Sequence, residues 1–147
     1  MAVYLRFDVA DEIYAVPIAN VIEVAVLGQV VAIPRAPAQI LGVQLMHGFI
    51  LPVVDLAAVL RLERSTPAAR LLVAAVGDLG VGFAVDDVAG VTELPEVTEE
   101  AESPVLRGAV LADGTLIGII DVARAVEWAA TSAGQAALTD SMRAVLP

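Results

Sequence analysis

The stretch Gly42-Val43-Gln44-Leu45-Met46-His47-Gly48-Phe49-Ile50-Leu51-Pro52-Val53-Val54-Asp55-Leu56-Ala57 returns 66 residues later. The second copy reads Gly108-Ala109-Val110-Leu111-Ala112-Asp113-Gly114-Thr115-Leu116-Ile117-Gly118-Ile119-Ile120-Asp121-Val122-Ala123. Each copy runs glycine, five residues, a second glycine, an apolar run, aspartate, an aliphatic residue and alanine. A fainter echo precedes each, because Tyr14 to Val24 aligns with Val81 to Val91 at an offset of 67. Two versions of one small β module are therefore expected, with the search for function starting at the groove between them.

Strand periodicity extends this reading outward. Tyr4, Arg6 and Asp8 alternate with Val3, Leu5, Phe7 and Val9, the two-residue period of a half-buried strand. Further β runs are expected over Ile13–Val16, Val21–Val26, Val30–Ile33, Ile40–Met46, Phe49–Val54, Leu71–Val76, Val81–Val85, Val88–Leu94, Leu106–Leu111 and Leu116–Ile120. Short strands at close spacing indicate small barrels. Gly48 and Gly114 each close a two-residue hairpin, and Asp113-Gly114 suits a type I′ turn.

Asp55 and Asp121 each end an apolar strand and open an alanine-rich stretch, the place of a helix N-cap whose carboxylate accepts a backbone N–H. The crossing between modules is expected at Arg61 to Pro67. Subdomain 1 is then about 12–66, subdomain 2 about 67–126 with a contribution from 1–11, and 127–147 a C-terminal helical tail. After Asp121, Val122, Ala125, Val126 and Ala129 share a helical face, Trp128 anchors it and Gly134 ends it. Leu138, Met142 and Val145 then form a short apolar stripe. The segment Glu93 to Glu102, with five glutamates and a proline, reads as a solvated loop.

Composition narrows the function. The 147 residues, 59% of them hydrophobic, suffice for a real core. A net charge of −10 argues against nucleic acid or an anionic membrane surface as partner and leaves basic protein surfaces. With no cysteine and one histidine, His47, disulfides, thiolate sites and an ordinary His-based metal site are not expected. The N-terminus lacks a basic region followed by an apolar one, so no signal peptide is expected. The 19 residues from Ala36 to Val54 carry no Lys, Arg, Asp or Glu, but Pro37, Gln44, His47-Gly48 and Pro52 make them a hairpin rather than a membrane span.

No catalytic constellation emerges. Asp55 and Asp121 precede Leu56-Ala57 and Val122-Ala123, not the Thr/Ser-Gly of a paired-aspartate protease. Asp86-Asp87 would point to opposite strand faces, and a turn or surface edge accounts for them better. Phosphate loops, a serine with a histidine base and metal-ligand spacing are lacking in the sequence, so neither a catalytic residue nor a cofactor is expected.

The chain resembles the CheW family of chemotaxis adaptors from about Tyr4 to Val126. The markers are Tyr14-Ala15-Val16-Pro17-Ile18, Val21-Ile22-Glu23-Val24, Ile33-Pro34 with Pro37, Ile40-Leu41-Gly42-Val43, Gly48 to Leu56, and Val81 to Val88. The resemblance implies an all-β fold of two SH3-like five-stranded barrels with an intervening hydrophobic groove and a C-terminal helix. It also implies a cytoplasmic, non-catalytic scaffold recruited to receptor arrays. Its partners would be the regulatory domain of a chemotaxis-type histidine kinase and the cytoplasmic tip of a methyl-accepting chemoreceptor, with no nucleic acid and no membrane insertion. A divergent scaffold of a pilus-linked system and a small-ligand sensor using the inter-barrel groove are the alternatives.

The resemblance places partner contacts at Val21, Glu23, Val24, Val43, Leu45 and His47, although Val21 and Val24 also suit an ordinary core. Glu23 within an aliphatic strand needs water or a partner. This chain has Leu45-Met46-His47-Gly48 where the family has Asn-Leu-Arg-Gly before the second hairpin strand. A contact between His47 and Glu23, weaker than an arginine's two-pronged one, is one expectation, and a solvated hairpin histidine is the other.

Overall fold

The computed structural model describes residues 1–64, 66–97 and 99–131. Its strands are β1 (Ala2–Val9), β2 (Glu12–Pro17), β3 (Val21–Val26), β4 (Ile40–Met46), β5 (Phe49–Asp55), β6 (Arg70–Val76), β7 (Leu79–Val85), β8 (Asp87–Leu94), β9 (Glu99–Glu100), β10 (Leu106–Ala112) and β11 (Thr115–Ile120). Two helices, α1 (Leu56–Val59) and α2 (Val122–Thr131), follow β5 and β11. A five-stranded sheet runs β3-β6-β7-β5-β4, and a six-stranded sheet runs β8-β1-β2-β11-β10-β9.

These sheets are not assembled from segments 12–66 and 67–126 as expected. Strand β2 lies in the second sheet between β1 and β11, whereas β6 and β7 lie in the first between β3 and β5. The two copies of the repeat have exchanged their leading hairpins. The exchange is made at two short joints: a 3-10 turn, Ile18–Asn20, carries the chain from β2 to β3, and Asp86 alone separates β7 from β8. Such joints leave no compositional mark, unlike the Arg61 to Pro67 crossing, which leads from α1 to β6 inside the first sheet.

The repeat holds in the pairing register. Gly42 faces Val53 after a bulge in β4, and Gly108 faces Ile119 after the matching bulge in β10. Both sheets contain one parallel pair, with Val53 against Gly82 and Ile119 against Ala15, the same register under offsets of 66 and 67. Both hairpin turns have positive φ at their two central residues, 50° and 81° at His47-Gly48 and 50° and 75° at Asp113-Gly114. That is the type I′ geometry that matches strand twist.

The leading glycines have a different reason. A Cβ at Gly42 would run into the backbone carbonyl of Val31, and one at Gly108 into that of Glu99. Each glycine lets an extra segment lie against its strand. At Gly42 the segment is a single bridge, Val31 to Val43, where a strand over Val30–Ile33 was expected. At Gly108 it is β9, inside the stretch expected to be a solvated loop. Its glutamates stay exposed while the backbone pairs, which explains how an acidic run can hold a strand.

Alternation sorts the apolar residues into three cores. Leu51, Val53, Leu71, Val73 and Ala84 fill the first barrel. Tyr4, Ala15, Leu94, Val110, Ile117 and Ile119 fill the second. The alternate residues of the same strands, among them Leu5, Phe7, Val16, Val54, Leu72 and Phe83, meet in one cluster shared by both sheets. Val122, Ala125, Val126 and Ala129 of α2 belong to this cluster, and Trp128 packs against it. Each fully buried side chain of this size contributes about 1.5–3 kcal/mol, so the shared cluster welds the barrels together. The helix starts at Val122, directly after the expected cap Asp121, while Gly134, Leu138, Met142 and Val145 lie outside the described residues. Among the described residues no helix is long and apolar enough to cross a membrane.

Candidate protein-binding surface

Among the described residues strand β3 is an edge of the first sheet, paired on one side only, with β6. Its pairing skips Ile22, which bulges between Val21 (opposite Ala74) and Glu23 (opposite Val73). Bulges re-aim side chains. Ile22, Val24 and Val26 consequently stand outward with 64%, 39% and 67% of their surface exposed. Three aliphatic side chains in a row on a sheet edge form a surface that a partner can cover.

Glu23 points the other way, toward the end of the barrel, and its Oε1 lies 2.8 Å from Nε2 of His47. The His47-Gly48 turn joins β4 to β5, so this contact spans the seam between β3 and β4, the two edges that no hydrogen-bond ladder connects. Beneath it is a cavity of about 640 Å³ with Met46, Leu51 and Val73 in its lining. The carboxylate expected to need a partner has one.

The remaining expected contact residues divide. Leu45, beside the turn, is 72% exposed and available. Val21 and Val43 are partly buried and pack against the shared core. Two outward residues, Ile22 and Val26, were not singled out from the sequence. An unbroken run from Val21 to Val26 does not say which alternate residues face outward until the edge position and the bulge are known.

The turn and cap residues occupy equivalent places in the two barrels. Asp55 Oδ1 accepts from the Ala58 backbone N–H at 3.4 Å, and Asp121 Oδ1 from that of Arg124 at 3.0 Å. Asp55 also has Arg64 Nη2 at 3.6 Å, and Asp121 has Arg107 Nε at 3.7 Å. Asp86, expected in a turn or at a surface edge, sits at the joint between β7 and β8, where it accepts from the Ala10 backbone N–H at 2.7 Å and from Arg64 Nη1 at 2.8 Å. It thereby ties the β1–β2 turn to the crossing segment and fastens the exchanged hairpin in place. Burial, reinforced by the nearby Glu12 carboxylate, pushes the Tyr14 phenol up to about 12.

Two barrels welded through a common core, with an aliphatic sheet edge and a charged seam beside it, define a protein-binding module. The same architecture occurs in the scaffolding protein TtCheW from Thermoanaerobacter tengcongensis, with a TM-score of 0.72 and 23% identity over 82% of this chain and 89% of that one. The CheW-like domain family matches residues 3–130, and the chain belongs to that family. A probable chemotaxis protein CheW from Rhizobium etli is 33% identical over 128 residues, 80% of this chain and 83% of the relative. The protein FrzA of Myxococcus xanthus is 36% identical over 94 residues, 63% of this chain and 59% of the relative. The chain is accordingly a chemotaxis adaptor of the CheW-like kind.

Proposed function

We propose that this chain links the cytoplasmic tip of a methyl-accepting chemoreceptor to the regulatory domain of a chemotaxis-type histidine kinase, working in the cytoplasm at receptor arrays and performing no chemistry itself. The observation that carries the reading is the outward aliphatic row of Ile22, Val24 and Val26 on an unpaired sheet edge. Such a row supplies affinity through apolar burial, while Glu23 and His47 at its side orient the partner. Membership of the CheW-like family supports the choice of partners. A small-ligand sensor in the inter-barrel space is disfavoured, because Phe7, Val16, Leu72 and Phe83 occupy that space as shared core.

The test is reconstitution from three purified components of the same organism: this chain, the kinase regulatory domain and the receptor-tip fragment. Co-elution of all three is the expected result, with the receptor fragment and the kinase domain failing to associate when the chain is left out. Association of those two without it would overturn the proposal.

A further inference from the structure

The cavity at the open end of the first barrel is lined differently from the matching positions of the second. Its lining includes Met46, Ile50, Leu51, Val73 and Ala75, an apolar set between the β4–β5 and β6–β7 turns. The charged or titratable groups around it are Glu23 from β3, His47 from the β4–β5 turn and Asp78 from the β6–β7 turn. Carried across by the repeat, Val73 becomes Arg6, Ala75 becomes Asp8 and Glu23 becomes Gly90, as the shared registers of β6 with β7 and β1 with β2 require. The second mouth thus carries charged side chains at two positions of the floor, where the first is apolar throughout with Glu23 and Asp78 at its rim.

We infer that this mouth is a docking pocket for an aliphatic side chain that neighbours an arginine or lysine on a partner segment, and that His47 sets its strength with pH. The inference rests on the adaptor reading and specifies the partner chemistry of the first barrel. The aliphatic group fills the apolar floor, and the cation reaches the rim, where Glu23 and Asp78 bring two carboxylates in a chain of net charge −10. His47 already holds Glu23 at 2.8 Å. A histidine gains its charge on mild acidification. A charged imidazole neutralises Glu23 and competes with the incoming cation, whereas a neutral one leaves the carboxylate to the partner. Binding therefore tightens as pH rises through the range in which histidine loses its proton.

The full chain, labelled with nitrogen-15, is titrated with a capped peptide containing Ile-Arg-Val and with its Ile-Glu-Val counterpart. The arginine peptide is expected to move the amide signals of Met46, Gly77 and Gly80 and to bind about twofold to fivefold more tightly near pH 8 than near pH 6. The glutamate peptide is expected to bind more weakly at both. His47→Gln should erase the pH dependence, and Glu23→Gln should weaken the arginine peptide about twofold to fivefold. Unmoved amides at the mouth, equal binding of the two peptides, or a pH dependence that survives His47→Gln overturns the inference. Capture of the kinase domain without peptide binding at the mouth sinks the pocket and leaves the adaptor reading intact; peptide binding without capture does the reverse.

Discussion

The two barrels share strand registers and bulge positions but differ in the side chains of their outward edges. Strand β3 bulges at Ile22 against β6, and β8 bulges at Ala89 against β1, so the two edges carry their bulge at the same place. On the first edge the outward row is Ile22, Val24 and Val26, and on the second it is Ala89, Val91 and Glu93. Glu23, which meets His47 in the first barrel, corresponds to Gly90, and His47 to Asp113. The residues that fix the fold are those the copies share: the leading glycines, the turn glycines, the capping aspartates and the alternating core. Those that differ include the outward row of β3 and the Glu23–His47 pair, on which the proposed partner surface rests.

The comparison is broken most easily in the shared core. Leu72 and Leu5 are equivalent and both belong to the cluster joining the sheets. Changing either to alanine should cost about 2–5 kcal/mol in urea unfolding. A cost under about 1 kcal/mol at one position alone would mean that the core is not held jointly.

Next come the leading glycines. Gly42→Ala and Gly108→Ala each drive a Cβ into a backbone carbonyl and should cost about 1–3 kcal/mol. Gly42 should be the worse, because its φ of +146° is itself unfavourable for alanine whereas Gly108 has only the steric conflict. Equal melting temperatures for the two variants would contradict that order.

Smaller effects belong to the caps. Asp121→Ala should cost about 0.5–2 kcal/mol, and Asp55→Ala somewhat less, since the Asp121 amide contact is 3.0 Å against 3.4 Å for Asp55. At neutral pH the smallest effect is that of Tyr14, whose phenol should ionise near 12 when followed by absorbance. The folded state holds this proton more tightly than the unfolded chain does. Its stabilisation is complete below the ordinary value of 10.0 and is lost as pH rises from there toward about 12.

Much of this was legible in the sequence. The strand periods, the Asp113-Gly114 turn and the aspartates at strand ends are local signals, and local physics delivers them. The exchange of hairpins was not legible, because the decision between two equally matched sheets is made by the turn Ile18–Asn20 and the single residue Asp86. The outward row on β3 was half visible: Val24 stood out, but Ile22 and Val26 became outward residues only once β3 was an edge with a bulge. The clamp of Arg64 on Asp86 and Asp55 joins residues that no periodicity connects.

The central claim is that partner binding resides on the edge of the first barrel, and equivalent substitutions test it. Val24→Glu and Val91→Glu place the same charge at matching positions of β3 and β8. Titration calorimetry of each variant against the kinase regulatory domain and the receptor-tip fragment, at matched unfolding stability, gives the answer. The account predicts that Val24→Glu weakens binding to at least one of them about tenfold or more, while Val91→Glu changes neither by more than about twofold. Equal losses for the two variants, or a loss confined to Val91→Glu, would contradict it.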